Sequence, residues 1–448
     1  MNFKFPEDFL FGAASSAVQI ESARKDGGKG ADVHDQCFVD SPERYAGGDL
    51  NDGADFYHRY PEDIKMMKDL GLKAFRFSIS WSRIYPNGPE QVNPEGLAYY
   101  NDMVDHLLDA GITPFFDLWH CDLPLWAAER GGILNPEFPD WFTTYAKSVF
   151  EVLGDKVAFW STVNEPHVNC MEDLWQGIYP PYIKDHEKAI HGSHNMIIAH
   201  YRTIRLYKEM GCKGQIGAVV YLPPCYGASD SPEDQAAAAR YQDYQSGWWF
   251  DTMLKGYYPP SVLEYPYIRE KMPEGFKEQI EKEFVPCDFI SINYYDPFLI
   301  KYEPDGMLDC KIIPNPNLAV DDYGFTNYPQ GLFDALIYLK NTYPDMDIYI
   351  SENGTGIKTD ANPTDKELND GYRINYMREH LRAVSRAISA EVPVKGYFHW
   401  TIMDTSEHVC GGYTLKFGLM QVNFETKERT PRKSWYYYQD IIRNGFVD

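Results

Sequence analysis

Eight short runs of apolar, β-favouring residues recur along the chain, each separated from the next by a longer stretch, several of these with helical periodicity. The runs are FLFGAASS (9–16), AFRFSIS (74–80), TPFFDLWH (113–120), AFWSTVNE (158–165), QIGAVVYL (215–222), CDFISINYY (287–295), DIYISEN (347–353) and VKGYFHWTIMD (394–404). Several are apolar almost without interruption. A strand with one wet face alternates polar and apolar residues, whereas a parallel strand covered on both faces has no need to. Between the runs the period changes to that of a helix. In 94–111, Pro94 stands where a first helical residue would, Tyr100, Met103, Val104, Leu107 and Leu108 share a face, and Gly111 closes the end. The stretch 61–71, ending on Gly71, and the pattern at 368–390 read alike.

Strand–helix alternation at this count fits a (β/α)8 TIM barrel or a large doubly wound sheet. Many doubly wound folds carry G-x-G-x-x-G or G-x-x-x-x-G-K-[ST] after a strand, and neither occurs. The expectation is an α/β chain folded as one (β/α)8 barrel domain over residues 1–448. That length is large for one domain, but α/β barrels often stay single at such sizes. No linker, repeat or low-complexity segment interrupts it.

Charge and cysteine usage narrow the function classes. A net charge of −24 repels phosphate backbones and anionic lipid, so neither nucleic acid nor a membrane is the expected partner. No run approaches the length of a membrane span. The opening MNFKFPEDFLFG has acidic residues where a signal peptide needs an apolar core. The 8 cysteines are scattered with no C-x-x-C pair, which suits reduced thiols in the cytoplasm better than a disulfide framework or a zinc site. His191, His194 and His200 share the run AIHGSHNMIIAHY, but without H-E-x-x-H or an acidic third ligand they read as core packing, and no metal is expected. Homo-oligomerisation is left open.

In a barrel, residues that do chemistry gather at the C-terminal ends of the strands. Two runs end there on a carboxylate: Glu165 in TVNEP, followed at once by a proline that stops the strand, and Glu352 in ISENG. Burying an ionised glutamate without a partner is costly, so something at each site must want it. Around them the other strand ends supply Gln19, Arg76, His120, Asn293, Tyr295, Trp400 and Glu407, a polar ring with an aromatic wall. Two carboxylates in a hydroxyl-binding bowl suit cleavage of a glycosidic bond, one giving a proton to the leaving oxygen and the other acting at the anomeric carbon. Arg76 and Tyr295 beside Glu352 would keep it ionised, while burial and repulsion would raise Glu165 and make it the acid. Asn164 stands ready for a sugar hydroxyl next to the reacting carbon. The chemistry asks for no cofactor, and a small β-glycoside is the expected partner.

The motifs FLFGAASSAVQIE, FRFSISWSRIYP, DLWHCDLP, TVNEP, SINYY, ISENG, GYFHWTIMDTSEH and FETKERTPRKSWYYY occur in series from end to end. In that order they resemble glycoside hydrolase family 1, the β-glucosidase family. The resemblance implies a retaining mechanism with Glu165 as acid/base and Glu352 as nucleophile. It implies that Gln19, His120, Asn164 and Glu407 hold the non-reducing sugar, that Trp400 stacks beneath it, and that Arg76, Asn293 and Tyr295 attend the nucleophile. The chain departs from the family pattern in places. The usual His-Trp pair is His120-Cys121, the usual Glu-Trp is Glu407-His408 with one extra residue before Lys416-Phe417-Gly418, an aromatic over the leaving group is Phe325, and an early Trp is His34. Cys121, His408, Phe325 and Phe417 therefore join the expected substrate-binding set. These exchanges trade indoles for smaller or more polar groups, which suggests a glycone pocket wider or more polar than one for plain glucose. Glu407 would repel a phosphate on the sugar, although Lys416 lies close by in sequence. A transglycosylase with the same residues and a catalytically silent carbohydrate-binding barrel are the alternatives.

Overall fold

In the computed structural model, residues 3–45, 48–359, 368–407 and 412–448 are described. Eight parallel strands close into a barrel: β1 (Leu10–Ala14), β2 (Ala74–Ser78), β3 (Thr113–Asp117), β4 (Phe159–Asn164), β5 (Gln215–Tyr221), β6 (Ile290–Asn293), β7 (Ile348–Asn353) and β8 (Val394–Trp400). Each pairs with its sequence neighbour, and β8 pairs with β1 to close the ring. The (β/α)8 class read from the sequence is the fold.

The strands are shorter than the apolar runs, and the difference lies mostly at their C-terminal ends. His120, Glu165 and Tyr295 fall just past the last ladder residues of β3, β4 and β6. Pairing becomes irregular there, between Ser161 and Asn164 against β5 and between Ile350 and Glu352 against β6. An apolar run does not mark where hydrogen bonding stops, because the residues beyond the ladder are buried too.

The helices follow the expected periods, except that Leu108, expected on the face of Tyr100, Met103, Val104 and Leu107, is exposed while those four are buried. α1 (Phe56–Leu70) starts five residues before the periodic stretch, with Pro61 in its interior, because Phe56 is itself buried. It ends on Gly71 at φ 85°, a left-handed position that costs glycine little. α2 (Pro94–Asp109) is capped by Asn93, whose side chain accepts from the Glu95 N–H at 3.2 Å. α3 (Gly371–Ser389) matches the pattern at 368–390.

Inside the barrel, Phe115 packs on Phe159, Phe289 and Phe398 with ring centres 5.7, 5.6 and 5.5 Å apart. Gly12 leaves room for Phe398, since a Cβ there would lie 2.4 Å from that ring. Fully burying one such ring is worth roughly 1.5–3 kcal/mol. This aromatic plug fills the barrel and pushes the polar side chains up to its mouth. No helix among the described residues is long and apolar enough to cross a membrane.

Candidate active site

Glu165 owes its position to a strand that is forced to stop. β4 ends at Asn164, Glu165 takes a left-handed conformation (φ 44°, ψ 59°), and Pro166 opens the short helix Pro166–Cys170. A non-glycine residue there carries backbone strain, and such strain gathers at functional sites. The turn aims the carboxylate over the mouth. Asn293 at the end of β6 donates to Glu165 Oε1 at 2.7 Å, and its amide is oriented by Ser351, whose hydroxyl donates to Asn293 Oδ1 at 2.7 Å.

Glu352 lies within β7, and both its oxygens meet donors. Arg76 Nη1 lies 2.5 Å from Oε1, and the Tyr295 hydroxyl donates to Oε2 at 2.7 Å. The same guanidinium pairs with Asp117 at 2.6 Å and donates to Asn164 Oδ1 at 2.7 Å. Arg76 and Asp117 are fully buried. One cation at the base of the mouth thus anchors side chains from β3, β4 and β7 together.

Both glutamates face one cavity of about 260 Å³. Gln19, His120, Cys121, Asn164, Tyr295, Phe325, Trp400, Glu407 and Phe417 line it with them. Arg76 and Asn293 stand behind this lining and act through Glu352, Asn164 and Glu165. His408 lies outside the described residues. His120 and Trp400 face each other nearly parallel, 5.9 Å apart, as one wall. A second aromatic stack fills another side, where Phe325 lies between Tyr295 and Tyr323 at 4.6 and 4.4 Å. Gly354 permits the approach of β7 to β8, because a Cβ on it would lie 2.0 Å from the Trp400 carbonyl oxygen.

The two carboxylates are held in different surroundings. Burial, then the negative charge of Glu352, pushes Glu165 up to about 8. Glu407 is pushed up to about 7 chiefly by burial, although Thr405 Oγ1 donates to it at 2.7 Å. Tyr295 is raised well above the ordinary phenol by burial and by Glu352, so it keeps its proton as a donor.

Two positions noted as departures turn out to touch. His34 is held near 4 by burial and is therefore neutral, and its Nε2 sits 3.0 Å from the Cys121 carbonyl oxygen, to which it donates. Tyr179 packs edge-on against the same ring at 4.6 Å. The sequence reading missed Tyr179, Glu172, Tyr221 and Tyr323, all of which line the cavity. Glu172 had a usable signal: it lies about two helical turns beyond Glu165 in a helical run. Lys416 is buried with its ammonium 4.3 Å from the Phe424 ring centre, and it does not line the cavity. His194 contacts Tyr258 and Gln279, and His200 contacts Thr162 and Cys287, so both are engaged in the packing.

A closed parallel barrel with two unlike carboxylates in one mouth cavity is the architecture of a glycoside hydrolase. The sequence pattern of glycosyl hydrolase family 1 matches residues 1–446. The chain is 38% identical over 446 residues to a β-glucosidase A of Acetivibrio thermocellus, covering 98% of each. It is 36% identical to a 6-phospho-β-galactosidase of Clostridium acetobutylicum, covering 98% of this chain and 96% of that one. A solved family 1 β-glucosidase from Thermotoga maritima superposes with a TM-score of 0.93 at 34% identity, covering 100% of this chain and 99% of the other. The protein belongs to glycosyl hydrolase family 1, and it is a glycoside hydrolase.

Proposed function

We propose that this enzyme is a retaining β-glycosidase of the β-glucosidase kind, acting on the terminal non-reducing sugar of small glycosides. The observation that carries the reading is that Glu165 and Glu352 share one cavity while one is pushed up to about 8 and the other faces a guanidinium and a phenol. In the first step Glu165 gives its proton to the glycosidic oxygen as the bond to the anomeric carbon breaks, and a Glu352 oxygen forms a new bond to that carbon. In the second, Glu165, now a carboxylate, takes a proton from water as the water oxygen displaces Glu352. Arg76, Asn293 and Tyr295 position the pair. Gln19, His120, Asn164 and Glu407 hold sugar hydroxyls against Trp400, with Cys121, Phe325 and Phe417 shaping the rest. The scattered cysteines, free among the described residues, support a reducing, cytoplasmic setting.

The glycone is proposed to be uncharged. No lysine or arginine lines the cavity among the described residues, whereas four glutamates do, and that lining opposes a phosphate. A second reading, a glycone other than plain glucose, is favoured by the His34–Cys121–Tyr179 patch, which puts small and polar groups where indoles were expected. A panel of 4-nitrophenyl β-glycosides, with NMR of the first-formed anomer, tests both. Turnover with the β anomer appearing first is expected, and the α anomer or no turnover would sink the reading. An unmodified glucoside as clearly the best substrate would remove the second.

A further inference from the structure

The cavity holds more carboxyl groups than two-carboxylate chemistry needs. Glu165, Glu172, Glu352 and Glu407 all line it. Three of them have partners: Asn293 for Glu165, Arg76 and Tyr295 for Glu352, and Thr405 for Glu407. Glu172 is half-buried, and its carboxylate makes no ion pair or hydrogen bond with any described residue. Arg44, the cation whose field reaches it, is engaged elsewhere: it donates to the Ile178 carbonyl at 2.8 Å and to Cys37 Sγ at 2.9 Å.

The place of Glu172 says which part of a substrate it meets. The segment Met171–Gln176 continues the helix Pro166–Cys170, so Glu172 hangs from the same strand end as Glu165. Val168, four residues earlier and also lining the cavity, puts that helical face toward the substrate. Gln19, Trp400 and Glu407, on the sugar side, come instead from the ends of β1 and β8. The proton donor serves the leaving-group oxygen, and the Glu172 charge reaches Glu165 across the same cavity, which puts this carboxyl on the leaving-group side.

We infer that Glu172 selects substrates whose leaving group bears a positive charge, such as a primary ammonium, by pairing with it inside the cavity. The inference rests on the catalytic reading above. Partial burial pushes Glu172 up to about 7, and a cation arriving with the substrate would hold it ionised and add a charge-assisted hydrogen bond. Glu165 keeps its proton and Glu352 is paired with Arg76, so the attraction rests mainly on Glu172, and an anionic leaving group meets the reverse.

Three β-glucosides sharing one phenol leaving group test it: those of 4-(2-aminoethyl)phenol, 4-ethylphenol and 4-(2-carboxyethyl)phenol. The expected order of kcat/KM is cationic, neutral, anionic, with the cationic glucoside about tenfold above the neutral one. In Glu172→Gln the cationic-to-neutral ratio should collapse towards unity. A ratio near unity in the unaltered enzyme, or one that survives Glu172→Gln, overturns the inference. Calorimetric binding of the same three compounds separates the two readings. Absent turnover with a charge-ordered Kd counts against the catalysis and supports Glu172, whereas equal Kd values count against Glu172.

Discussion

Glu352→Gln removes one charge from the cavity while keeping the shape of the side chain, and its sharpest effect should appear on Glu165. Burial, the first cause of Glu165's rise to about 8, is untouched by the change; the second cause, the Glu352 charge, disappears. Two carboxyls placed for the proposed retaining mechanism stand about 5.5 Å apart. At that distance and an effective dielectric constant near 20, two unit charges interact by roughly 3 kcal/mol. Arg76 already offsets part of this through its pair with Glu352. A net fall of about one pKa unit, or ~1.4 kcal/mol, is therefore expected for Glu165. Carbon-13 NMR titration of glutamate-labelled protein reads it directly: a carboxyl titrating near 8 in the parent should move to about 7 in the variant. Turnover should drop by at least about 10⁴-fold with the nucleophile gone. An unmoved or raised Glu165 would refute the claim that the two carboxyls feel one field.

Other substitutions read the same geometry. Because folded Glu165 keeps a proton that the unfolded chain releases well below pH 8, the parent loses stability as pH rises from the ordinary glutamate range to about 8. Glu165→Gln lacks that loss, so its Tm relative to the parent should climb between pH 5 and pH 8, and a pH-independent difference would contradict the assigned burial. Arg76→Met leaves Asp117 and Glu352 buried without their cation, and denaturant titration should show a loss of roughly 3–5 kcal/mol. A loss under 1 kcal/mol would mean that the pairs do not form. Gly354→Ala drives a methyl group into the Trp400 carbonyl and should cost about 1–3 kcal/mol along with a fall in kcat/KM, whereas unchanged Tm and kinetics would contradict the close approach of β7 and β8.

The sequence by itself determined the number and type of the strands, because a parallel strand covered on both faces writes its burial into consecutive residues. It also singled out Glu165 and Glu352, since a carboxylate followed by proline or asparagine-glycine at the end of an apolar run is a local contradiction that only a site resolves. Only the tertiary structure decided where each ladder stops, that one guanidinium serves Asp117, Asn164 and Glu352, and that His34 meets Cys121. The same holds for Glu172, which the barrel turns into the cavity. These are contacts between segments far apart in the chain, fixed by barrel closure and strand tilt. Their energies depend on distance and burial in three dimensions, and neither quantity is written in any short stretch of residues.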